Sequence, residues 1–300
     1  MVGPPRRDPT WFPVTVIEKN EDSLRPISDR HAQVARATAG LHRVFAASAG
    51  AAIDALSLCL STMTRSELER DTGLGADGTP TMHLDRVVEA AIVEATAPFG
   101  VNVLSEEIGF VDRGSSLTLV VDPVDGSANA AADVPLSCFS AALADDHRFV
   151  SAATVWLETG RTWAADASGP RQSPGRWATT GRRTLDGAAV SLLRPHPRNR
   201  DAWWRVTERA ARIRILITTC LEAMLVLQGS TDAFADAGSD THRLVDLAAA
   251  AVLLPLAGGV VLDVRGRTIE FDTDLTKRWS GIVAATPELA DEIAAAVLGQ

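Results

Sequence analysis

The chain has 300 residues, of which 46% are hydrophobic and 22% are charged. This composition is typical of a soluble globular protein with one large domain or two modest ones, and it excludes an intrinsically disordered chain. The formal net charge of −9 argues against a nucleic-acid partner, because neutralising a phosphate backbone requires a basic surface. Small anionic ligands stay compatible with it, since a bound cation reverses the local field.

The sequence predicts no membrane association. The longest apolar candidate, Val245 to Val264, is interrupted by Pro255 and by Gly258-Gly259, so we expect no membrane-spanning helix. The N-terminal residues lack the apolar segment of a signal peptide. Three cysteines lie far apart in the sequence and leave at least one unpaired, which favours a reducing, cytoplasmic location.

We expect three parts: a leader (1–27), an N-terminal α+β subdomain (28–168) and a C-terminal α/β subdomain (169–300). In the first subdomain, Ser28 is predicted to cap a long helix that runs into the sixties. A Gly-rich loop (73–78) precedes a helix at 84–97. Two buried strands are predicted at 101–104 and 117–121, and antiparallel strands from 138 to about 165.

The second subdomain opens with a polar, Arg-rich segment (169–187) that we interpret as a loop or a joint. A predicted strand at 190–193 is followed by predicted helices at 200–212, 219–228, 243–256 and 287–298. Alternating elements of this kind indicate an α/β arrangement in the C-terminal half, whereas the first half indicates α+β.

Acidic residues stand where the two buried strands end. Glu106 and Glu107 follow the first strand, and Asp122 and Asp125 follow the second. Pro123 stiffens the turn, so the two aspartates can direct their carboxylates into one space. So many like charges in one cleft require compensation by cations or protons, and hard divalent cations take oxygen ligands.

The same segment offers other donors. The Val124 carbonyl faces the same space, and Gly126 and Ser127 expose backbone N–H groups that suit an anion. The alternative is that Asp122 to Gly126 is only a turn, since each of its residues is a good turn former. Two acidic strand ends together favour a site.

Four segments, in this order and spacing, resemble the motifs of the inositol monophosphatase family, within the wider fructose-1,6-bisphosphatase-like group of metal-dependent phosphatases. They read Asp77-Gly-Thr-Pro-Thr-Met-His-Leu-Asp85, Ser105-Glu106-Glu107, Asp122-Pro-Val-Asp-Gly-Ser127 and Val245-Asp246-Leu-Ala-Ala-Ala250. Any one of them would be a weak signal, but four in register are specific. The resemblance extends from about residue 28 to the C-terminus and implies a layered αβαβα sandwich.

The resemblance also implies a role for each matching residue. Two or three Mg²⁺ ions would be held by four carboxylates and one carbonyl, those of Glu106, Asp122, Asp125, Asp246 and Val124. Asp85 and Ser127 would orient and deprotonate the attacking water, while the amides of Gly126 and Ser127 would hold the phosphate. Substrate contacts are further expected from Thr218, Ser239, Asp240 and Arg243.

The chain departs from the family pattern at several positions. Gly75 stands where the family usually has lysine, and Ser127 replaces a threonine. Val245 replaces a tryptophan and Ala250 a glycine. All the carboxylates are present, so we expect the chemistry to be kept and the substrate to have changed.

These observations predict a Mg²⁺-dependent phosphomonoesterase that acts on a small polyol or sugar phosphate. The family resemblance implies a homodimer. One alternative is a nucleotidase acting on adenosine 3′,5′-bisphosphate, although no base pocket is visible in the sequence. Another is a phospho-ligand-binding protein of the same fold without turnover, which Gly75, Val245 and Ala250 would motivate.

Overall fold

The structure is a computed structural model that describes residues 25–171 and 176–300. Most of the expected leader, residues 1–24, lies outside the described residues. The helices are α1 (Ile27–Ala37), α2 (Val44–Thr62), α3 (Arg65–Leu68), α4 (His83–Thr96), α5 (Ser127–Ala131), α6 (Arg200–Arg209), α7 (Thr219–Leu227), α8 (Leu244–Leu253) and α9 (Pro287–Leu298). The strands are β1 (Asp71–Leu74), β2 (Pro80–Met82), β3 (Asn102–Ser105), β4 (Gly109–Val111), β5 (Leu117–Asp125), β6 (Cys138–Asp145), β7 (Arg148–Trp156), β8 (Thr162–Asp166), β9 (Gly169–Pro170), β10 (Ala189–Leu192), β11 (Arg212–Arg214), β12 (Ala233–Ala235), β13 (Val260–Asp263) and β14 (Gly281–Ala284).

A seven-stranded sheet carries the first acidic motifs. Its strand order is β4-β3-β5-β6-β7-β8-β9. The β3–β5 pair is parallel, with Ser105 opposite Val121, while the other pairs are antiparallel. Because parallel neighbours end at the same edge of a sheet, the residues that follow β3 lie beside the end of β5.

The second sheet has five short strands in the order β11-β10-β12-β14-β13. Strand β10 pairs in parallel with β11 and β12, and β14 pairs antiparallel with β12 and β13. Of these strands the sequence predicted only β10, and all five have only three or four residues. Runs such as Ala233–Ala235 are too short to show a period of two.

The two sheets and their helices form five layers. Helices α2 and α4 cover one face of the seven-stranded sheet, and their apolar side chains share a core with Leu119 and Val121. Helices α7 and α8 fill the space between the sheets, against Val120 on one side and Phe234 on the other. Helices α6 and α9 cover the outer face of the second sheet. The expected αβαβα sandwich is confirmed.

Four expectations about the first subdomain need correction. The predicted long helix is two helices, since the chain turns through Gly40 at φ +84° between α1 and α2. Ser28 lies inside α1, whose N-terminal cap is Pro26. The Gly-rich loop is the turn of the β1–β2 hairpin, and the strand predicted to end at 121 continues to Asp125.

The expectation that no apolar run is long enough for a membrane span is also wrong for α2. Among the described residues, this 19-residue helix passes that test by length and composition. Its Ala, Gly and Ser content hid it, because small residues do not read as a hydrophobic run. Of its apolar stretch 56% is buried inside the protein, where the helix packs on α4 as a core helix does.

Candidate active site

Strand β5 presents both of its aspartates on one face because the strand is irregular there. Asp122 lies opposite Ser140 and Asp125 opposite Cys138, so three steps along β5 match two steps along β6. Residues three apart in a regular strand face opposite sides, but one extra residue restores the same side. The bulge therefore turns both carboxylates toward α7 and α8, and it places Val124 between them.

Two helices add carboxylates from their first turns. Asp246 of α8 accepts a hydrogen bond from the backbone N–H of Arg243 at 2.6 Å, and Asp85 of α4 accepts one from Met82 at 3.3 Å. A carboxylate at this position is favoured by the free N–H groups of the helix start. We call Asp85, Glu106, Asp122, Asp125 and Asp246 the strand-end cluster.

Arg243 lies among these carboxylates, where the sequence predicted a substrate contact. Its Nη2 is 2.9 Å from Asp246 Oδ1, and its Nη1 is 3.0 Å from Asp77 Oδ2. The same Nη1 also forms an ion pair with Glu106. The guanidinium thus joins the hairpin, the end of β3 and the start of α8.

The carboxylates of the cluster hold protons more tightly than usual. Burial, and after it the repulsion of Asp246, Asp77 and Asp85, raises the pKa of Glu106 to about 7 against the opposing effect of Arg243. Burial likewise raises the pKa of Asp125 to about 6 and that of Asp122 well above its usual range. One guanidinium does not compensate this group, so the cluster favours further cations.

Asp246 is the exception in the cluster. Although burial works to raise its pKa, the charge and hydrogen bonds of Arg243 lower it below the usual range. Arg243 therefore neutralises mainly Asp246, and the charges of the neighbouring carboxylates are compensated less.

Asp85 and Ser127, the pair that the resemblance assigns to the attacking water, lie near each other. Burial and the charge of Glu107 raise the pKa of Asp85 to about 7, against the opposing effect of the nearby Ser127 hydroxyl. A carboxylate of this pKa is suited to exchange a proton near neutral pH.

Gly126 joins β5 to α5 in a conformation that suits glycine. Its φ is +83°, and a Cβ atom there would lie 2.7 Å from the Leu136 carbonyl oxygen. The same Cβ would approach Thr218 at 3.2 Å. The absence of a side chain lets the backbone before α5 come close to the loop before α7.

Asp125 is tied to the start of α7. Its carboxylate accepts hydrogen bonds from the Thr218 hydroxyl at 2.6 Å and from the backbone N–H groups of Thr219 at 3.0 Å and Cys220 at 2.9 Å. Thr218, which we expected to line the substrate pocket, thus holds a cluster carboxylate. These contacts fix the direction of Asp125.

Two cysteines also lie against Asp125, and sequence reasoning missed this. Cys138 Sγ is 3.5 Å from Asp125 Oδ2, and one carboxylate oxygen and the sulfurs of Cys138 and Cys220 lie within 4.8 Å of one another. Both thiols are buried, and burial raises the pKa of Cys138 to about 12. The two cysteines are 82 positions apart in the sequence (220 − 138), and no local pattern joins them.

Ser239 and Asp240, the other expected substrate contacts, hold their own loop together. The Ser239 hydroxyl donates to Asp236 at 2.6 Å. The Asp240 carboxylate accepts from Arg267 at 2.6 Å and from the Ser280 hydroxyl at 2.8 Å. The structure brings Arg243 to the cluster and directs these two side chains elsewhere.

The departure at Gly75 has a physical reason. A Cβ atom at residue 75 would collide with the Glu107 carboxylate and would lie 3.2 Å from the Thr81 hydroxyl oxygen. Glu107 accepts a hydrogen bond from that hydroxyl. The space that a side chain at position 75 would use is therefore filled by Glu107, next to Glu106.

The donors of the strand-end cluster are all carboxylate oxygens. Hard cations such as Mg²⁺ take carboxylate and carbonyl oxygens, whereas softer ions favour thiolate and imidazole. The excess of negative charge and the type of donor both fit a divalent cation.

Comparison with known proteins agrees with the motifs. A model of the inositol monophosphatase family matches residues 41–299. A fructose-1,6-bisphosphatase/inositol-1-monophosphatase of Thermococcus kodakarensis is 31% identical over 230 residues, 74% of this chain and 85% of that protein. A bifunctional NADP phosphatase/NAD kinase of Methanococcus maripaludis is 28% identical over 238 residues, 70% of this chain and 41% of that longer protein.

Comparison of the fold with solved structures agrees with the family match. The solved structure of an inositol monophosphatase–fructose 1,6-bisphosphatase has a TM-score of 0.73 and 25% sequence identity to this chain, covering 82% of this chain and 96% of that one. The match of the family model extends over both sheets and includes every residue of the strand-end cluster. The chain is a phosphatase and belongs to the inositol monophosphatase family.

Proposed function

We propose that this phosphatase is a Mg²⁺-dependent phosphomonoesterase acting on a small sugar or polyol phosphate. The observation that carries the proposal is the strand-end cluster, whose five carboxyl groups meet at the ends of β3 and β5 and the starts of α4 and α8. Arg243 alone compensates little of its charge, as the raised pKa values of Glu106, Asp122 and Asp125 reflect.

Each ligand assignment stays a proposal that the geometry supports. Glu106, Asp122, Asp125 and Asp246 and the Val124 carbonyl would hold two or three ions. Bound there, Mg²⁺ lowers the pKa of a water molecule and neutralises charge on the phosphoryl group.

The protein's own part in the reaction is to place protons and the phosphate. The Ser127 hydroxyl lies near Asp85. It would accept a hydrogen bond from the attacking water and direct its own proton to that carboxylate. Asp85 then takes up a proton at near-neutral pH. The backbone N–H groups of Gly126 and Ser127 would bind the phosphate oxygens.

A second candidate substrate is a nucleotide with a phosphate on its ribose. The resemblance to the bifunctional NADP phosphatase/NAD kinase supports it, since that protein's name includes removal of such a phosphate. Adenosine 3′,5′-bisphosphate and NADP therefore belong beside the sugar phosphates in any substrate test.

Phosphate release from a substrate panel tests the proposal. The panel would contain inositol monophosphates, fructose 1,6-bisphosphate, other sugar phosphates, adenosine 3′,5′-bisphosphate and NADP, each with Mg²⁺ and with a chelator. We expect turnover of one class with Mg²⁺, loss of it with the chelator, and loss of it in Glu106→Gln. Equal turnover with and without the chelator would contradict metal dependence.

We further propose a homodimer that works in the cytoplasm. The family resemblance supports the dimer, and the three free cysteines suit a reducing compartment. Sedimentation equilibrium would give twice the chain mass if the dimer forms, and the chain mass if it does not.

A further inference from the structure

Arg243 contacts carboxylate oxygens that the proposed metal ions would need. We propose that Arg243 and the metal ions compete for Glu106 and Asp246, so that ion binding displaces the guanidinium from the strand-end cluster. This inference rests on the metal binding put forward under the proposed function. It makes Arg243 a positioning residue that sets the affinity of the site for its cation.

The contacts at Asp246 leave no oxygen free for an ion. Its Oδ1 accepts from Arg243 Nη2 at 2.9 Å, and its Oδ2 accepts from the Arg243 backbone N–H at 2.6 Å and from Nε at 3.2 Å. The backbone bond belongs to the start of α8 and persists while the helix does. A metal ion bound at Oδ1 would lie beside Nη2, where the two positive charges repel each other.

Glu106 is held by the same guanidinium, but at one of its two oxygens only. Its Oε1 forms an ion pair with Arg243 Nη1, the nitrogen that also lies 3.0 Å from Asp77. A guanidinium N–H and a divalent ion cannot share one carboxylate lone pair, and their positive charges repel. Because a single guanidinium spans both ligands, its release from one weakens its hold on the other.

Leaving the cluster is feasible for this side chain. Arg243 precedes α8 as its N-terminal cap, so the side chain can rotate without disturbing the helix. It is already 18% exposed and therefore has an edge toward solvent. The incoming ion brings the charge that a departing guanidinium removes, so the buried carboxylates are not left unpaired.

The two positions of Arg243 also reconcile sequence and structure. The sequence predicts that Arg243 contacts the substrate, whereas in the structure it forms ion pairs with carboxylates of the cluster. Once displaced, its planar guanidinium would lie at the edge of the same site, where it can donate two parallel hydrogen bonds to phosphate oxygens.

Titration calorimetry of Mg²⁺ into the chelator-treated full chain, without substrate, tests the proposal. Arg243→Gln should bind Mg²⁺ about tenfold more tightly or better, since hydrogen bonds to charged groups contribute about 1.5–3 kcal/mol and 1.4 kcal/mol is a factor of ten. A residue needed only for the shape of the site would weaken binding when replaced. Circular dichroism would confirm that the variant is folded.

Arg278→Gln is the matched control for charge. Arg278 donates to the Asp77 carbonyl at 2.7 Å and lies 3.5 Å from the Asp77 carboxylate, so it adds a positive charge beside the cluster. The contacts described for it do not include Glu106 or Asp246. We expect its loss to change Mg²⁺ affinity by about twofold or less, as an ion pair with solvent-exposed parts does.

Chemical rescue gives a second readout. Methylguanidinium added to Arg243→Gln should weaken Mg²⁺ binding back toward the wild-type value and leave wild-type binding unchanged. If Arg243→Gln does not fold, Arg243→Lys should show an intermediate gain, because an ammonium cannot span both carboxylates. Unchanged or weaker Mg²⁺ affinity in the folded variants would overturn this inference alone, whereas no Mg²⁺ binding in the wild type would overturn the proposed function with it.

Discussion

Two acidic groups of side chains lie on neighbouring parts of the chain and differ in how their charge is balanced. The strand-end cluster has five carboxyl groups, and within residues 25–171 and 176–300 one guanidinium, that of Arg243, forms ion pairs with two of them. The second group, which we call the loop network, consists of Asp240 and Asp263 with Arg265 and Arg267. In the loop network Arg267 Nη2 lies 2.6 Å from Asp240 and 2.7 Å from Asp263, and Arg265 lies 3.6 Å from Asp240.

Asp246 apart, the pKa values move in opposite directions in the two groups. Burial works to raise the pKa of Asp263 and of Asp240, but hydrogen bonds from Arg267 lower both below the usual range. In the strand-end cluster burial prevails, and the pKa of Glu106 rises to about 7. Carboxylates whose charge is neutralised by arginines stabilise their own loop. Carboxylates that lack such partners can instead bind added cations.

The largest expected effect is that of Asp122→Asn in the strand-end cluster. The change keeps the shape but removes a charge that would hold the ions, so we expect phosphatase activity to fall by about 1,000-fold or more. The metal-free variant should be at least as stable as the wild type, because a buried like charge has been removed. Activity assays and thermal unfolding would check both, and a variant that retains more than a tenth of the activity would contradict the role of the cluster.

A smaller loss of activity is expected from Gly75→Ala, which acts on the cluster through Glu107. The new Cβ would displace the Glu107 carboxylate from Thr81, and the charge of that carboxylate acts on Asp85. We expect kcat to fall by about tenfold, since small displacements of catalytic groups carry large penalties.

The control for Gly75→Ala is the same substitution made in a Glu107→Ala variant. There the collision is gone, so the added methyl group should have little further effect. An equal loss of kcat in both backgrounds would show that Glu107 is not the reason for glycine at position 75.

Asp263→Asn is the counterpart in the loop network and should separate stability from activity. Asp263 accepts from Arg267 and from the Ser280 backbone N–H at 2.9 Å, so the variant should lose about 1–3 kcal/mol of unfolding free energy. Activity of the folded protein should stay within about twofold of the wild type. Chemical denaturation and a phosphate assay would decide, and a loss of activity as large as that of Asp122→Asn would erase the distinction between the two groups.

The last expected effect is a pH dependence of stability in the metal-free protein. The folded-state pKa values of Glu106 and Asp85, about 7, lie above the usual values of 4.5 and 3.8, and that of Asp125 is about 6. Between about pH 4 and 7 the folded protein binds more protons than the unfolded chain, so its stability falls as pH rises. Asp246, whose pKa Arg243 lowers, titrates below this window.

Thermal unfolding with a chelator should therefore give a lower Tm at about pH 8 than at about pH 5. Mg²⁺ should raise the Tm more at the higher pH, where the carboxylates are free of protons. Asp122→Asn provides the control, since it should flatten the slope. A Tm that rises from pH 5 to 8 without metal would contradict the unbalanced state of the cluster.

The sequence was most informative where the signal is local. The acidic residues that follow two buried strands, and the glycine after Asp125, can be recognised without the fold. The turn that Pro123 predicted is instead a bulge inside β5, and this bulge decides that Asp122 and Asp125 face the same side. Four of the five strands of the second sheet were missed because runs of three or four residues are too short to show an alternating pattern.

The contacts that set the electrostatics of the site were out of reach for a different reason. Arg243 and Asp77 are 166 positions apart, and Thr218 and Asp125 are 93 apart. Only the packing of the hairpin, α7 and α8 against the end of the first sheet brings them together. A motif gives the identity of the carboxylates, but their compensation is a property of the folded chain.

Anomalous diffraction from crystals of the protein soaked in Mn²⁺ tests the central claim most directly. The account predicts anomalous peaks at about 2.0–2.3 Å from carboxylate oxygens of Glu106, Asp122, Asp125 and Asp246. The same data should show none at Asp240 and Asp263, where arginines already balance the charge. Peaks confined to the loop network, or a strand-end cluster without a peak at saturating Mn²⁺, would contradict it.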